Sequence, residues 1–184
     1  MGRLLYFQPC SLDLRIADAA GRFDWSELDA ETHGFMNDLM RPIRTVVYGR
    51  RMWETMRFWE TMPEEESVMG DFGAVWRASD KVVVSGSLQS VDTARTELMR
   101  RFDAEDLRSR TAAADTDVAV GGAQLAAAAL AAGLVDEIGL MLLPVLVGAG
   151  PRALPDGVES RLRLEESRTF ASGWTYLRYA VGAA

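Results

Sequence analysis

Apolar positions along the chain follow two rhythms. Short apolar or β-branched runs at Leu4 to Gln8, Arg44 to Tyr48, Lys81 to Ser85, Asp117 to Val120 and Ile138 to Val147 have the length and make-up of buried strands. Between them stand segments with a helical spacing of apolar residues. These are Trp25 to about Leu39, carried by Leu28, Phe35, Met36 and Leu39, then Gly49 to about Met56, Asp92 to Phe102, and the alanine-rich Gly122 to Ala132. Asp24 reads as the N-cap of the first helix, with Glu27 three residues on completing an acidic capping box. Gly133 stands where a helix C-terminus favours a left-handed residue. Ser11 to Phe23 reads as a long loop, and Arg57 to Ser79 as a loop holding a short helix. Two last strands, about Arg161 to Phe170 and Trp174 to Val181, are joined by Ser172-Gly173, a pair suited to a hairpin. Strand-helix alternation closed by a hairpin predicts an α/β fold with a mostly parallel central sheet, an antiparallel C-terminal edge and helices on both faces.

Length and composition narrow this picture. A chain of 184 residues is one domain's worth and buries a core without staples. No signal-peptide pattern follows Met1 to Arg3, and the longest apolar stretch, Ile138 to Ala149, is short for a membrane span and broken by Pro144. A soluble, cytoplasmic protein is therefore expected. The net charge of −7 argues against nucleic acid and anionic membrane as partners, so any anion site must be local. One cysteine and one histidine provide neither a disulfide framework nor a metal ligand set. Cys10 is expected as a small buried thiol and His33 as a surface residue of an amphipathic helix, with a general-acid role as its alternative.

Candidate chemistry gathers at three strand-to-turn junctions. In Asp117-Val-Ala-Val-Gly121-Gly122-Ala123-Gln124-Leu125 a buried strand meets two glycines and a helix starts at once. Without Cβ atoms the backbone can approach a ligand closely, and the free N–H groups of the helix start can cradle a pyrophosphate; a plain tight turn is the alternative. Tyr48-Gly49-Arg50-Arg51-Met52-Trp53-Glu54 repeats the design with two arginines in the first helical turn. There the macrodipole opposes them unless an anion offsets it, which makes Arg50 and Arg51 candidate phosphate ligands or else solvated surface arginines. Trp53 and Trp59 read as core or pocket wall. The third junction, Val84-Ser85-Gly86-Ser87-Leu88, ends a strand with two hydroxyls fit to bond a ribose phosphate, or forms an ordinary loop. Turns of this kind at the ends of parallel strands line the sheet edge where α/β folds bind ligands.

Gly148-Ala149-Gly150-Pro151-Arg152-Ala153 matches G-x-G-x-x-A literally, but Pro151, Pro155 and Gly157 forbid the helix that such a fingerprint requires. It reads as a loop.

Taken in order, Ser11-Leu12-Asp13 with Ile16-Ala17-Asp18, the Gly49-Arg50-Arg51-x-Trp53-Glu54 turn, Ser85-x-Ser87-Leu88, Gly121-Gly122, and Leu134-Val135-Asp136-Glu137 leading to Pro144-Val145-Leu146-Val147-Gly148-x-Gly150 span nearly the whole chain. In this order they resemble the C-terminal reductase domain of riboflavin-biosynthesis pyrimidine reductases, within the dihydrofolate reductase-like fold. The resemblance implies a sheet of about eight strands, a homodimer, and NADPH-dependent hydride transfer to a small pteridine-like or pyrimidine-like heterocycle. It assigns Gly49, Arg50, Arg51 and Met52 to the cofactor phosphates, Ser85 and Ser87 to the adenosine side, and Gly121, Gly122, Ala123, Gln124 and Leu125 to the pyrophosphate and nicotinamide. Ile16 and Ala17 then face the nicotinamide through their backbone, Asp18 to Phe23 forms a lid, and the Trp25 to Leu39 helix walls the substrate pocket. Asp29 and Glu31 on that helix are the catalytic acid candidates, with Asp38 or a water as alternatives. Leu14 stands where similar sequences have Gly, Met52 where they have Thr or Ser, and Gly86 where they have a basic residue. A noncatalytic nucleotide-binding or small-ligand-binding protein on the same scaffold is the second reading, and an interaction protein with exposed tryptophans the third.

Overall fold

The computed structural model describes residues 2–26 and 28–182. The chain runs through β1 (Leu4–Ser11), α1 (Ala30–Met40), β2 (Thr45–Gly49), α2 (Arg50–Met56), a 3-10 turn (Arg57–Thr61), α3 (Val68–Ala78) and β3 (Asp80–Val84). It continues with β4 (Thr96–Met99), α4 (Ala104–Ala113), β5 (Val118–Gly121), α5 (Ala123–Ala131), β6 (Glu137–Leu143), β7 (Leu162–Thr169) and β8 (Thr175–Val181). All eight strands share one sheet in the order β4-β3-β2-β5-β1-β6-β8-β7. The first six are parallel, and β8 turns back antiparallel to β6 and β7. This mostly parallel sheet with an antiparallel C-terminal hairpin is the architecture that both the alternation and the resemblance imply.

The pleat divides the core in two. Leu4 and Tyr6 of β1 join Val118 and Val120 against Leu107 of α4 and Ala126, Ala129 and Leu130 of α5. Leu5 points the other way, with Val46, Tyr48, Val83 and Trp53. On that second face Phe35, Met36 and Leu39 of α1 pack on Met141, Leu143 and Tyr176. Strands buried on both faces read as unbroken apolar runs, which is why β1, β2, β3, β5 and β6 stand out in the sequence.

Several elements differ from expectation. Asp92 to Phe102 is not a helix: Thr96–Met99 is strand β4, paired with β3 through Lys81↔Thr96 to Val84↔Met99, and the helix follows at α4. Asp103 caps α4 by accepting from the N–H groups of Glu105 and Asp106. The short helix expected within Arg57 to Ser79 is the eleven-residue α3, capped by Ser67. The first helix begins at Ala30 rather than Trp25, because Asp29 rather than Asp24 provides the cap, accepting from the Thr32 N–H at 2.8 Å. Glu27, the expected capping-box partner, lies outside the described residues. β6 ends at Leu143, before Pro144, instead of reaching Val147. His33 is buried, 7% exposed, because α3 covers the flank of α1 that carries it. Cys10 is fully buried.

Lys81 shows how tightly the second face is closed. Fully buried on β3, its ammonium donates to the carbonyls of Trp76 (3.0 Å) and Ser79 (2.8 Å) and stands 4.4 Å from the centre of the Trp76 ring. It neutralises the negative C-terminal end of α3, while burial pushes its pKa below the ordinary lysine value. Among the described residues no helix is long and apolar enough to cross a membrane.

Gly139 in β6 lets the aromatic layer close. A Cβ there would lie 2.2 Å from the Phe7 ring and 3.2 Å from that of Tyr176. Gly139→Ala is therefore expected to cost about 1–3 kcal/mol through overpacking. Urea unfolding measures this, and an unchanged midpoint would show that the ring packing is looser than this geometry.

Candidate functional site

Because β2, β3 and β5 are parallel neighbours, their C-terminal ends open onto one edge of the sheet. Gly49 pairs with Val84 of β3, and Tyr48 with Gly121 of β5. The three glycine-bearing junctions are thus consecutive along that edge, in the order Ser85–Ser87, Gly49–Met52, Gly121–Leu125. β1 is the next strand, and the loop carrying Ile16 and Ala17 leaves from its end. Every expected cofactor-side residue falls on this stretch.

Two helix starts on this edge are unlike the rest. α1, α3 and α4 each have a side-chain cap, from Asp29, Ser67 and Asp103, and an acidic residue in the first turn. α2 and α5 start at Gly49 and Gly122 with neither. A helix start leaves its first N–H groups without intrahelical partners. In α5 the helical ladder begins with Ala126 N–H donating to the Gly122 carbonyl, so the amides of Ala123, Gln124 and Leu125 precede it. Gly122 has φ +93°, a left-handed conformation that admits glycine readily. A Cβ on Gly121 would meet the Tyr48 ring at 2.7 Å, so the two strands approach closely only because that position is bare.

The individual side chains divide by what already holds them. Arg50 faces Glu54 at 3.6 Å, whereas Arg51 is exposed and has no ion pair among the described residues. Met52 lies over the glycine pair, its Cβ 3.3 Å from where a Gly122 Cβ would be. Ser85 is buried and its hydroxyl accepts from the N–H groups of Ser87 (3.3 Å) and Leu88 (3.1 Å), which shapes the turn; Ser87 is exposed. Sequence reasoning missed Arg100 and Arg101, which follow β4 beside this turn. Arg100 donates to the carbonyls of Leu88 and Gln89, and Arg101 is exposed. The misread strand hid them, since a parallel β4 is what brings its C-terminal end to this edge.

On the other side of β5 the chain after β1 is laced to the chain after β6. The Asp13 carboxylate accepts from the Ser11 hydroxyl (2.6 Å), the Val147 N–H (3.0 Å) and the Gly148 N–H (2.8 Å). These bonds, the Ser11 hydroxyl foremost, hold its pKa down at about 2. Leu14 has φ +60°, a left-handed conformation although the residue is not glycine; its side chain packs against the main core, and its carbonyl accepts from Ala153 N–H at 2.9 Å. Ile16 N–H donates to the Pro151 carbonyl at 3.0 Å, and Arg15 bridges Arg152. Gly150, at φ +127°, must be bare, because a Cβ would stand 2.1 Å from the Ala17 carbonyl oxygen. The Gly148 to Ala153 stretch is thus a loop that fixes Ile16 and Ala17 in place.

The N-terminus of α1 stands over the same edge. Thr175 pairs with Leu142, so the β7–β8 turn lies beyond the end of β6. Glu31 reaches that turn, accepting from the Ala171 N–H and pairing with Arg168 at 3.2 Å. Asp29 accepts from the backbone and the hydroxyl of Thr32, both at 2.8 Å, and the backbone bond leads in pulling its pKa below the carboxylate range. Among the described residues no cluster of His, Cys, Asp and Glu could hold a metal ion.

The RibD C-terminal domain family is matched over residues 4–176. The protein YyaP of Bacillus subtilis is 26% identical over 179 residues, covering 96% of this chain and 94% of its own. A putative riboflavin biosynthesis protein from Shewanella sp. PV-4 superposes with a TM-score of 0.76 at 19% identity, over 98% of this chain and 99% of that one. The diaminohydroxyphosphoribosylaminopyrimidine deaminase/5-amino-6-(5-phosphoribosylamino)uracil reductase of Thermotoga maritima gives 0.69 at 14% identity, over 98% of this chain and 57% of its own. These likenesses show the dihydrofolate reductase-like fold.

Asp13 generates a pH signature. Its folded pKa is depressed, so the loop lacing is complete above the unfolded value of roughly 3.9 and is lost as pH falls through about 2. Asp13→Asn should remove this acid limb and speed amide exchange across residues 12–17 at neutral pH. Exchange rates equal to those of the unaltered protein would show that the carboxylate does not hold the loop.

Proposed function

We propose, because the chain belongs to the RibD C-terminal domain family, that it is an NADPH-dependent reductase of a small pteridine-like or pyrimidine-like heterocycle. The observation that carries this reading is the pair of uncapped, glycine-headed helix starts on adjacent strands, flanked by Arg51. The residues present fit such a group. Amides of Ala123 to Leu125 would meet the pyrophosphate, Arg50 and Arg51 the phosphates, Ser85 and Ser87 the adenosine side, and the backbone of Ile16 and Ala17 the nicotinamide. When bound, the dihydronicotinamide supplies a hydride to a C=N or C=O carbon.

The protein's own part is placement. The Gly148 to Ala153 loop, through Pro151 and Gly150, sets the height of Ile16 and Ala17 above the sheet edge. A fixed ring height turns the encounter of donor and acceptor into an oriented step. A noncatalytic binder could use the same cradle, and the engagement of Asp29 and Glu31 in capping and ion pairing is what favours that second reading.

The homodimer is likewise proposed. The edge strand β7 exposes Leu162 and Leu164, and its outer ladder has no partner strand among the described residues, a geometry that a second copy can meet across a two-fold axis. Light scattering should give twice the 20.3 kDa chain mass; a monomer at tens of micromolar would refute this.

NADPH at one hundred times its Kd should stabilise the fold by about 2.7 kcal/mol, read as a rise in melting temperature. Arg51→Ala should weaken NADPH at least tenfold and leave NADH unchanged, with a smaller effect for Arg50→Ala because Glu54 already partners it. No thermal shift with millimolar NADPH or NADH would sink the reductase reading. Binding without NADPH oxidation across a panel of pterins, pyrimidines and carbonyl compounds would leave the noncatalytic one.

A further inference from the structure

Reduction of a C=N or C=O bond consumes a proton as well as a hydride, and neither carboxylate at the head of α1 is free to supply it. Asp29 is kept ionised by Thr32, and Glu31 is committed to Ala171 and Arg168. His33 stands one helical turn in. It is the chain's single histidine, and it lies in a polar chain that determines where its proton sits. Its Nδ1 is 3.0 Å from Oδ1 of the fully buried Asn37. The Asn37 amide nitrogen donates to the Val68 carbonyl (2.8 Å) and to Asp71 Oδ2 (2.7 Å). Both partners are acceptors, so that end of the amide must be the nitrogen and Oδ1 can only accept. His33 therefore carries hydrogen on Nδ1, and Nε2 is the atom that gains and loses a proton. Nε2 has no hydrogen-bond partner among the described residues.

The far end of the chain is fixed in charge. Arg41 donates to Asp71 at 3.1 and 2.9 Å and, more than any other neighbour, holds its pKa below the carboxylate range. Around the imidazole, α3 contributes Asp71 and the Phe72 ring, and α1 contributes Asn37; the caps of α1, Asp29 and Arg41, are the charged groups at its two ends. The 3-10 turn contributes Trp59, edge-on with the rings 6.0 Å apart, the same separation as for Phe72. Glu60, next to Trp59, has one oxygen on the Ala94 N–H. His33 lies in the first turns of α1, and the start of α1 stands over the glycine-bearing sheet edge, since Glu31 reaches the β7–β8 turn beyond the end of β6.

We propose that His33 is the catalytic acid of this site, giving the Nε2 proton to the substrate heteroatom; this rests on the reductase reading above, whose dihydropyridine nucleotide is the two-electron donor. As the substrate carbon receives the hydride, the π pair of its C=N or C=O bond becomes a lone pair on nitrogen or oxygen. That atom bonds the Nε2 proton, the N–H pair stays on the ring, and imidazolium becomes neutral Nδ1–H imidazole. Asn37 is a positioning residue that keeps Nε2 turned outward.

With one histidine, every imidazole resonance of 15N-labelled protein belongs to His33. The neutral form should show the Nδ1–H tautomer in the free protein. His33→Gln should keep the thermal shift with NADPH but lose turnover of a panel substrate about 100-fold or more at neutral pH. The unaltered enzyme's kcat should fall as pH rises through the His33 pKa read by NMR, and the variant should lack that limb. An Nε2–H tautomer, or His33→Gln turnover within threefold of normal, overturns the role of His33 while leaving the reductase reading intact. Absence of any NADPH shift in the unaltered protein overturns that reading and this role together, and binding without turnover across the panel overturns the acid role alone.

Discussion

A helix start that lacks a side-chain cap leaves polar N–H groups for solvent or ligand to satisfy, and this fold sets two such starts on neighbouring strands. The pairing of β2 with β5 makes them neighbours, because Tyr48 and Gly121 are register partners. That register needs a bare Gly121 beneath the Tyr48 ring, so one requirement both closes the sheet and opens the cradle. The other three helices start with acidic first turns and side-chain caps, as soluble helices ordinarily do. The contrast within one chain is that the heads of α2 and α5 leave to solvent or ligand what side chains satisfy at the other three.

Next to this cradle the loop after β1 carries strain. Leu14 in the left-handed region costs roughly 1–2 kcal/mol against an ordinary conformation. It persists because the surroundings over-determine it: Asp13 gathers three hydrogen bonds, Ala153 donates to the Leu14 carbonyl, and the leucine side chain is part of the core. Tyr6 fastens the other side by donating to the Ala153 carbonyl at 2.7 Å. A loop held at so many points does not need glycine at position 14. Leu14 thus holds its left-handed φ because its surroundings, not its own preference, set the geometry.

Legibility followed burial and backbone chemistry. Strands covered on both faces showed as apolar runs, and the glycine and arginine junctions showed as turn chemistry. β4, with Thr96, Glu97, Leu98 and Met99, is short, lies at the sheet edge and is covered by little, so its residues carry no strand period. Its helix-like reading followed from that and took Arg100 and Arg101 out of view. α1 was started too early because Trp25 and Leu28 extend the apolar spacing upstream of the cap, although Trp25 packs as part of the preceding loop. α3 was blurred by Gly70 and Gly73, which are there for close contacts: a Cβ on Gly70 would stand 2.4 Å from the Glu65 carbonyl oxygen. None of these reasons is local to the misread residues.

The same distinction separates the glycine junctions from the surroundings of His33. The junctions are backbone features at strand ends, and a Gly-Gly or Gly-Arg-Arg at a strand-helix junction announces itself in sequence. The surroundings of His33 are built from side chains, with Trp59 and Phe72 edge-on to its ring, that come from three elements and meet only because α3 packs along α1. On α1 alone, a lone histidine amid acidic residues reads as a solvated face. Only the packing turns it inward, and only the two acceptors of the Asn37 amide fix which ring nitrogen carries hydrogen.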